Sequence, residues 1–346
     1  MKIAMVTGSY PPNVCGAGDY TERLVTSLQQ RGVSVEVITG GGWGLRDAPA
    51  VLKRINACGA DITHLQYPTV GYGRRLGPQL IALLQRGIVT IHEASQTHIL
   101  RRLSLFPLFW SRHLVFTNSF EQAYVGGLAP WVRARSSVIP IGSNVSVGRA
   151  DGERRLDEIL YFGLIRPAKG LEQVLDLAGL LKSRAPGVTV RIVGMALTEH
   201  AGYLDALRRK STDLPIVWNL GLSDDEAAQV LARAAIAYAP FPDGASERRG
   251  SLLAVLSNGV ATVTTRGAQT PSMLEEAVEF AASPIEAMSS LDALRHDSVR
   301  RERLSEHGMR YAARFSWPDI ADRHIRVYQS VLRHRHESPL SGPIAP

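Results

Sequence analysis

"EILYFGLIRPAKGLEQVLDLAGLLKS", residues 158–183, changes its periodicity half-way along. Ile159 to Phe162 form a short apolar run closed by Gly163, the pattern of a buried strand. From Leu171 the apolar residues return every three to four positions: Leu171, Val174, Leu175, Ala178 and Leu181 make one helical stripe. "VTVRIVG", residues 188–194, supplies the next strand. A strand, a helix and a strand joined by short loops predict parallel pairing with a right-handed crossover.

The same unit opens the chain. "KIAMVTG" reads as a buried strand. "YTERLVTSLQQRG" reads as a helix with Leu24, Val25 and Leu28 on one face and Gly32 at a left-handed C-cap. "VSVEVIT" is the second strand, and "DITHLQY", "GIVTIHE" and "HLVFTNS" follow. After "SSVIPIGSNV", the polar stretch "GRADGERRLD", residues 148–157, reads as a linker, and the pattern then restarts. "SDDEAAQVLARAA" opens on a capping box, Ser223 with Glu226, and "IAYAPF" and "ATVTT" are further strands. The expected architecture is α/β: two doubly wound, Rossmann-like domains facing a cleft, with ligand at the carboxyl ends of the strands. The expected domains are 1–150 and 151–316, then a helix at 317–336 with Pro318 in its first turn, and a disordered tail at 337–346.

The chain has 346 residues and a formal net charge of +7. Residues 1–150 hold 15 Lys and Arg against 7 Asp and Glu, so the whole excess lies there. A basic surface of this kind suits an anionic partner such as a nucleic acid, a phospholipid surface or a lipid pyrophosphate. Cys15 and Cys58 form neither a metal cluster nor a disulfide framework, which points to a reducing cytoplasmic setting. No apolar run reaches membrane-spanning length, and "KIAMVTG" is too short for a signal peptide. "HILRRLSLFPLFWSRH", residues 98–113, mixes Arg101, Arg102 and Arg112 with Leu103, Leu105, Phe106, Phe109 and Trp110. That mixture suits an interfacial segment, or a buried helix with a charged rim.

Three loops carry candidate chemistry. "TGSYPPNVCGAGDYTERL" lets backbone amides near Gly16 and Gly18 approach a ligand. It fails as a dinucleotide fingerprint, because Thr21 stands where the last glycine belongs and Thr39 ends the second strand without an acid. "FGLIRPAKG" places Arg166 and Lys169 between a strand and a helix, where two cations suit a pyrophosphate. "SERRGSLLAVLSNG", residues 246–259, crowds an acid, two arginines and a glycine-serine step onto a helix start, which suits an anion on its amides. Asp224 and Asp225 are first-turn helix acids rather than metal ligands.

Nearly the whole chain resembles GT-B glycosyltransferases of the retaining family 4. The resemblance runs through "YPP", "DITHLQYP", "TIHE", "FTNS", "VIPIGSNV", "YFGLIRPAKGL", "VRIVG", "LSDDE", "YAPFP", "LLAVLSNGVATVTT" and "FSWPDIA", in that order. It implies transfer of a sugar from a nucleotide-sugar, UDP before GDP, onto a saccharide or lipid-linked acceptor with retention; the sequence holds no cluster of metal ligands, so neither a metal nor another cofactor is expected. Two alternatives stay open, a sugar-nucleotide epimerase and a non-catalytic nucleotide-sugar binder. The resemblance assigns Lys169 to the donor diphosphate and His92 to the neighbourhood of the transferred sugar. The family arginine falls on Leu164, so Arg166 would supply that charge. The family's paired glutamates fall on Ser246 and Ala254, so Glu247 would serve as the first with a one-residue shift. Arg248 or Arg249, with the amides of Gly250, Ser251 and Leu252, would receive the diphosphate. The resemblance also implies a C-terminal helix that crosses back to the first domain. The expected setting is cytoplasmic, with an anionic membrane face as a peripheral contact and no nucleic acid.

Overall fold

The computed structural model describes residues 1–13, 15–95, 102–143, 145–149 and 152–337. The chain divides into two compact units, Met1–Gly142 with the segment from Trp317, and Ser143–Ser316. The expected disordered tail, from 338 onward, lies outside the described residues.

The first unit carries β1 (Lys2–Val6), β2 (Ser34–Ile38), β3 (Ile62–Tyr67), β4 (Ile88–Ile91), β5 (His113–Phe116) and β6 (Ser136–Val138). All pairings are parallel, in the order β2-β1-β3-β4-β5-β6. Alternation along β1 shows how the sheet is covered. Ile3 and Met5 pack with Tyr20, Leu24 and Leu28 of the helix Gly16–Gln29. Ile320, Ala321 and Tyr328 of the helix Trp317–Glu337 complete that layer. Ala4 and Val6 face the other way, onto Val51, Ile55, Ile81 and Leu108. Both faces are therefore dry, as a parallel sheet requires. The C-terminal helix belongs to this layer, and each large side chain it buries there contributes about 1.5–3 kcal/mol.

The second unit carries β7 (Arg155–Phe162), β8 (Thr189–Gly194), β9 (Ile216–Leu220), β10 (Ala234–Ala239), β11 (Ala261–Thr264) and β12 (Glu279–Phe280). Their order is β12-β11-β10-β7-β8-β9, again parallel throughout. Ile159 and Tyr161 pack on the helix Leu171–Arg184, whose buried stripe includes all five positions expected of it. Leu160 faces Leu231 and Val255 on the opposite layer. The capping box is formed: Ser223 accepts from the Glu226 amide, and Glu226 accepts from the Ser223 amide at 2.8 Å.

Residues 143 and 145–149, expected in the first domain, fall in the second unit. The Gly148 amide donates to the Asn258 side chain at 2.9 Å, and Val145 lies against Leu160 and Val260. The last residues of the polar stretch, from Arg155, are already strand.

Candidate functional site

Strand order reverses between β7 and β10, and the loops at their carboxyl ends are "GLIRPAKG" and "PFPDGASERR". Ligands of open α/β sheets sit at such a switch point. The two loops meet through backbone. Gly170, at φ +77°, comes so close to the Pro240 carbonyl that a Cβ would lie 1.7 Å from that oxygen. A Cβ on Gly163 would lie 3.8 Å from Ser251 Cβ, so the end of β7 abuts the start of the helix Gly250–Ser257. Gly163 and Ile165 are themselves held by amide bonds to Val193 and Met195. Ala168 is left-handed at φ +62°, a conformation that non-glycine residues adopt at a cost of about 1–2 kcal/mol.

Lys169, Arg166, Arg248 and Arg249 converge here, with Asp243 as the carboxylate felt by the lysine. Burial, then the guanidinium groups of Arg249 and Arg166, bring the Lys169 ammonium down to about 8. That ammonium is half-buried and has no hydrogen bond or ion pair among the described residues. Arg249 is fixed: it is 14% exposed, ion-paired with Asp243, and stacked 4.8 Å from the Phe241 ring centroid. Arg166 is exposed, as Leu164 is. The Tyr161 hydroxyl donates to the Lys169 carbonyl at 3.1 Å and so pins the loop from below.

The helix Gly250–Ser257 has Arg249 at its N-cap position and no side-chain cap. The amides of Ser251 and Leu252 fall in the first turn, where a helix has no carbonyl of its own to offer. The turn before it is clamped. The Ala245 amide donates to the Thr265 carbonyl at 2.9 Å, Thr270 donates to the Ala245 carbonyl at 2.7 Å, and the Arg249 amide donates to the Ser246 carbonyl at 3.0 Å. Ser246 is buried, and Glu247 is half-buried. The Glu247 carboxylate has no hydrogen bond or ion pair among the described residues. Burial raises its pKa, and Arg314 nearby opposes that shift. Ala254 is buried at 1% exposure and brings no polar atom.

In the first unit, His92 follows β4 and is half-buried. Its Nε2 lies 3.0 Å from Gln66 Oε1, and burial brings the ring down to about 4. Tyr20 meets it edge-on at 4.9 Å. Glu121, fully buried, accepts from the Ala94 and Ser95 amides at 2.9 Å and thereby holds the loop just beyond His92. Gly16 and Gly18 start the helix Gly16–Gln29; a Cβ on Gly18 would meet the Ser9 carbonyl at 3.1 Å, and one on Gly16 would meet nothing.

The arginine-aromatic segment is partly core. Residues 98–101 lie outside the described residues, while Leu105, Leu108 and Phe109 are fully buried. Arg102 turns inward, donating to the Ser95 carbonyl at 3.1 Å. Trp110 stays about half exposed beside a second exposed tryptophan, Trp131, with ring centroids 6.3 Å apart. Among the described residues no helix is long and apolar enough to cross a membrane.

No protein-family profile matches the chain, and no curated protein matches it in sequence. Solved structures match it in shape over nearly its full length. HepE of Anabaena, in complex with UDP and glucose, superposes with a TM-score of 0.69 at 14% identity, over 95% of this chain and 100% of its own. Sucrose-phosphate synthase of Thermosynechococcus elongatus gives 0.71 at 14% identity, over 96% and 100%. A glycosyltransferase of Rickettsia africae gives 0.72 at 12% identity, over 96% and 98%. The fold is GT-B. Its structural neighbours are GT-B glycosyltransferases, and the switch-point loops of the second unit occupy the place where such a fold binds ligand.

Sequence reasoning did not find Asp243, Tyr161 or Gln66. Tyr161 sits inside an apolar run, and Asp243 lies in a loop without a motif. Tyr161 and Asp243 meet their partners within their own stretches of chain, whereas only the pairing of β3 with β4 brings Gln66 to His92.

Proposed function

We propose that the protein is a glycosyltransferase that moves a sugar from a nucleotide-sugar to a saccharide or lipid-linked acceptor with retention of configuration. The observation that carries this reading is the half-buried, unpartnered Lys169 ammonium among Arg166, Arg248 and Arg249 at the switch point. A cation held this way is costly until an anion arrives. A diphosphate bridging the two loops would have one end on the amides of Ser251 and Leu252. As the glycosidic bond to the diphosphate breaks, negative charge grows on the leaving oxygen, and these fixed donors stabilise it without reorganising. Glu247, unpaired and half-buried, is the carboxylate for the donor sugar and for the positive charge developing at its anomeric carbon. His92 contacts the transferred sugar on the resemblance alone. Lys169, Arg166 and Arg248, beside an Arg249 already paired with Asp243, supply the charge a divalent metal would otherwise bring, so transfer proceeds without one. UDP in the HepE complex supports a uridine donor ahead of a guanosine one.

The acceptor side is assigned to the basic first unit. The exposed Trp110–Trp131 pair, with Arg112 and Arg133 exposed on the same stretches of chain, suits a peripheral contact with anionic lipid.

Thermal-shift titration with UDP, GDP and their sugars tests the donor. A ligand at a hundred times its Kd stabilises by about 2.7 kcal/mol. Product analysis then decides the class. Acceptor-dependent transfer supports the proposal, conversion of the donor without acceptor makes the protein an epimerase, and binding without turnover makes it a sensor.

A further inference from the structure

The sheet face beneath the C-terminal helix changes character along the strands. Ile62 and Ile88 at its start are apolar, whereas His64, Gln66 and Thr90 further on are polar and fully buried. A helix packed on a sheet needs only aliphatic side chains there, and apolar replacements of buried polar groups often pack as well. Yet the helix Trp317–Glu337 presents His324 and Tyr328, one turn apart and both fully buried.

The hydrogen bonds run in one direction. His92 Nε2–H donates to Gln66 Oε1 at 3.0 Å. Gln66 Nε2 donates to Met5 Sδ at 3.2 Å and to His64 Nε2 at 3.3 Å. With the Gln66 amide donating, His64 Nε2 is the acceptor and shares its single lone pair with the Thr90 hydroxyl at 2.8 Å, so the His64 proton sits on Nδ1 and goes to the Tyr328 oxygen at 2.8 Å. A second arm is shorter. The Tyr20 ring meets the His92 ring at 4.9 Å and 80°, while its hydroxyl lies 3.0 Å from His324 Nε2. Both arms end on the C-terminal helix. Burial keeps the two interior histidines neutral: His64 is pushed well below its ordinary range and His324 to about 3. They act as fixed dipoles in a buried network that is hydrogen-bonded except at His324 Nδ1, which has no partner among the described residues.

We infer that Gln66 is a positioning residue for His92, held through His64 by Tyr328, and that the C-terminal helix thereby sets the direction and tautomer of the His92 ring. Which ring nitrogen carries the proton is decided by the bond the other makes. With Nε2–H committed to Gln66, Nδ1 is the lone pair left to a ligand. The inference rests on the reading of His92 as a site residue only for its effect on turnover, not for the geometry.

Nitrogen-15 NMR of the full chain reads the His92 tautomer directly, and steady-state kinetics reads its consequence. The native protein should carry the His92 proton on Nε2. Gln66→Leu should give mixed tautomers and lower kcat about ten- to a hundredfold, the scale on which outer partners of a functional histidine act. UDP affinity should not change, because the diphosphate residues lie in the second unit. Tyr328→Phe, which keeps the ring, should move the tautomer in the same direction by a smaller amount. If Gln66→Leu does not fold, Tyr328→Phe and Thr90→Val carry the test. An unchanged His92 tautomer in the folded variants overturns the inference. If the tautomer moves but His92→Ala turns over at the native rate, the positioning chain stands and the role of His92 at the sugar falls.

Discussion

Raising the pH should weaken diphosphate binding, and Lys169 should be the cause. Its ammonium, brought to about 8 by burial and the neighbouring guanidinium groups, is mostly charged at pH 7 and mostly neutral at pH 9. A diphosphate binds the charged form, and apparent affinity scales with the competent fraction, which falls about tenfold over that interval. One pKa unit corresponds to about 1.4 kcal/mol, which is the loss expected between the two pH values. UDP itself barely affects the comparison, because a phosphate with its second pKa near 6 is about nine-tenths ionised at pH 7 and fully so at pH 9, a small change of the opposite sign. Calorimetry in buffers of differing ionisation enthalpy should show close to one proton taken up per UDP bound at pH 9 and almost none at pH 7. Lys169→Arg should abolish the slope and the uptake, since a guanidinium stays charged throughout. The unliganded protein carries the opposite sign. A base whose folded pKa is depressed binds its proton more tightly when unfolded, so stability rises as the pH climbs from about 8 toward the unfolded value of 10.5. Saturating UDP should remove that rise. An equal Kd at pH 7 and pH 9, or an undiminished slope in Lys169→Arg, refutes the assignment.

Two further outcomes separate the remaining site residues. Glu247→Gln should fold, keep its UDP affinity and lose about a hundred- to a thousandfold in turnover, the scale of one lost preorganised electrostatic partner, with Ser246→Ala far milder; a more damaging Ser246→Ala would return the first glutamate position to 246. Co-sedimentation with anionic vesicles at low salt should fall on Trp110→Ala with Trp131→Ala and on adding salt, as surface charges are screened within about 8–10 Å, whereas binding indifferent to both would remove the lipid contact.

The sheet layers were legible because burial imposes a period. Ile3 to Val6 is an unbroken apolar run that marks a buried strand, though not which way each residue faces, and the stripe from Leu171 to Leu181 shows its period in eleven residues. The candidate loops were legible for a related reason: a cation just past a strand end is already at the edge where ligands bind. The unit boundary was not. "GRADGERRLD" looks like a linker from composition, but the residues before it already belong to the second unit, where the Gly148 amide donates a hydrogen bond to the Asn258 side chain. The strands Ile216–Leu220 and Glu279–Phe280 also escaped, being short and only half-buried, so neither an apolar run nor clean alternation marks them.

What no local pattern could supply is the pairing of residues far apart in sequence. Lys169 and Arg249 are neighbours because β7 lies beside β10, and that order belongs to the topology rather than to either loop. Once they are together, their difference becomes the mechanism. Arg249 is tied to Asp243 and stacked on Phe241, so its charge is fixed and already compensated. Lys169 has neither restraint, and the guanidinium groups of Arg249, Arg166 and Arg248 press on its proton. A permanent cation shapes the cradle, and a strained one gains most when an anion fills it. Reversing the two types should show this. Arg249→Lys would trade a forked, stacked guanidinium for a flexible point charge and loosen the turn that carries Glu247, so turnover should fall further than UDP affinity. Loss of affinity with turnover on bound donor intact would mean that Arg249 is a second ligand for the diphosphate and not the support of the turn.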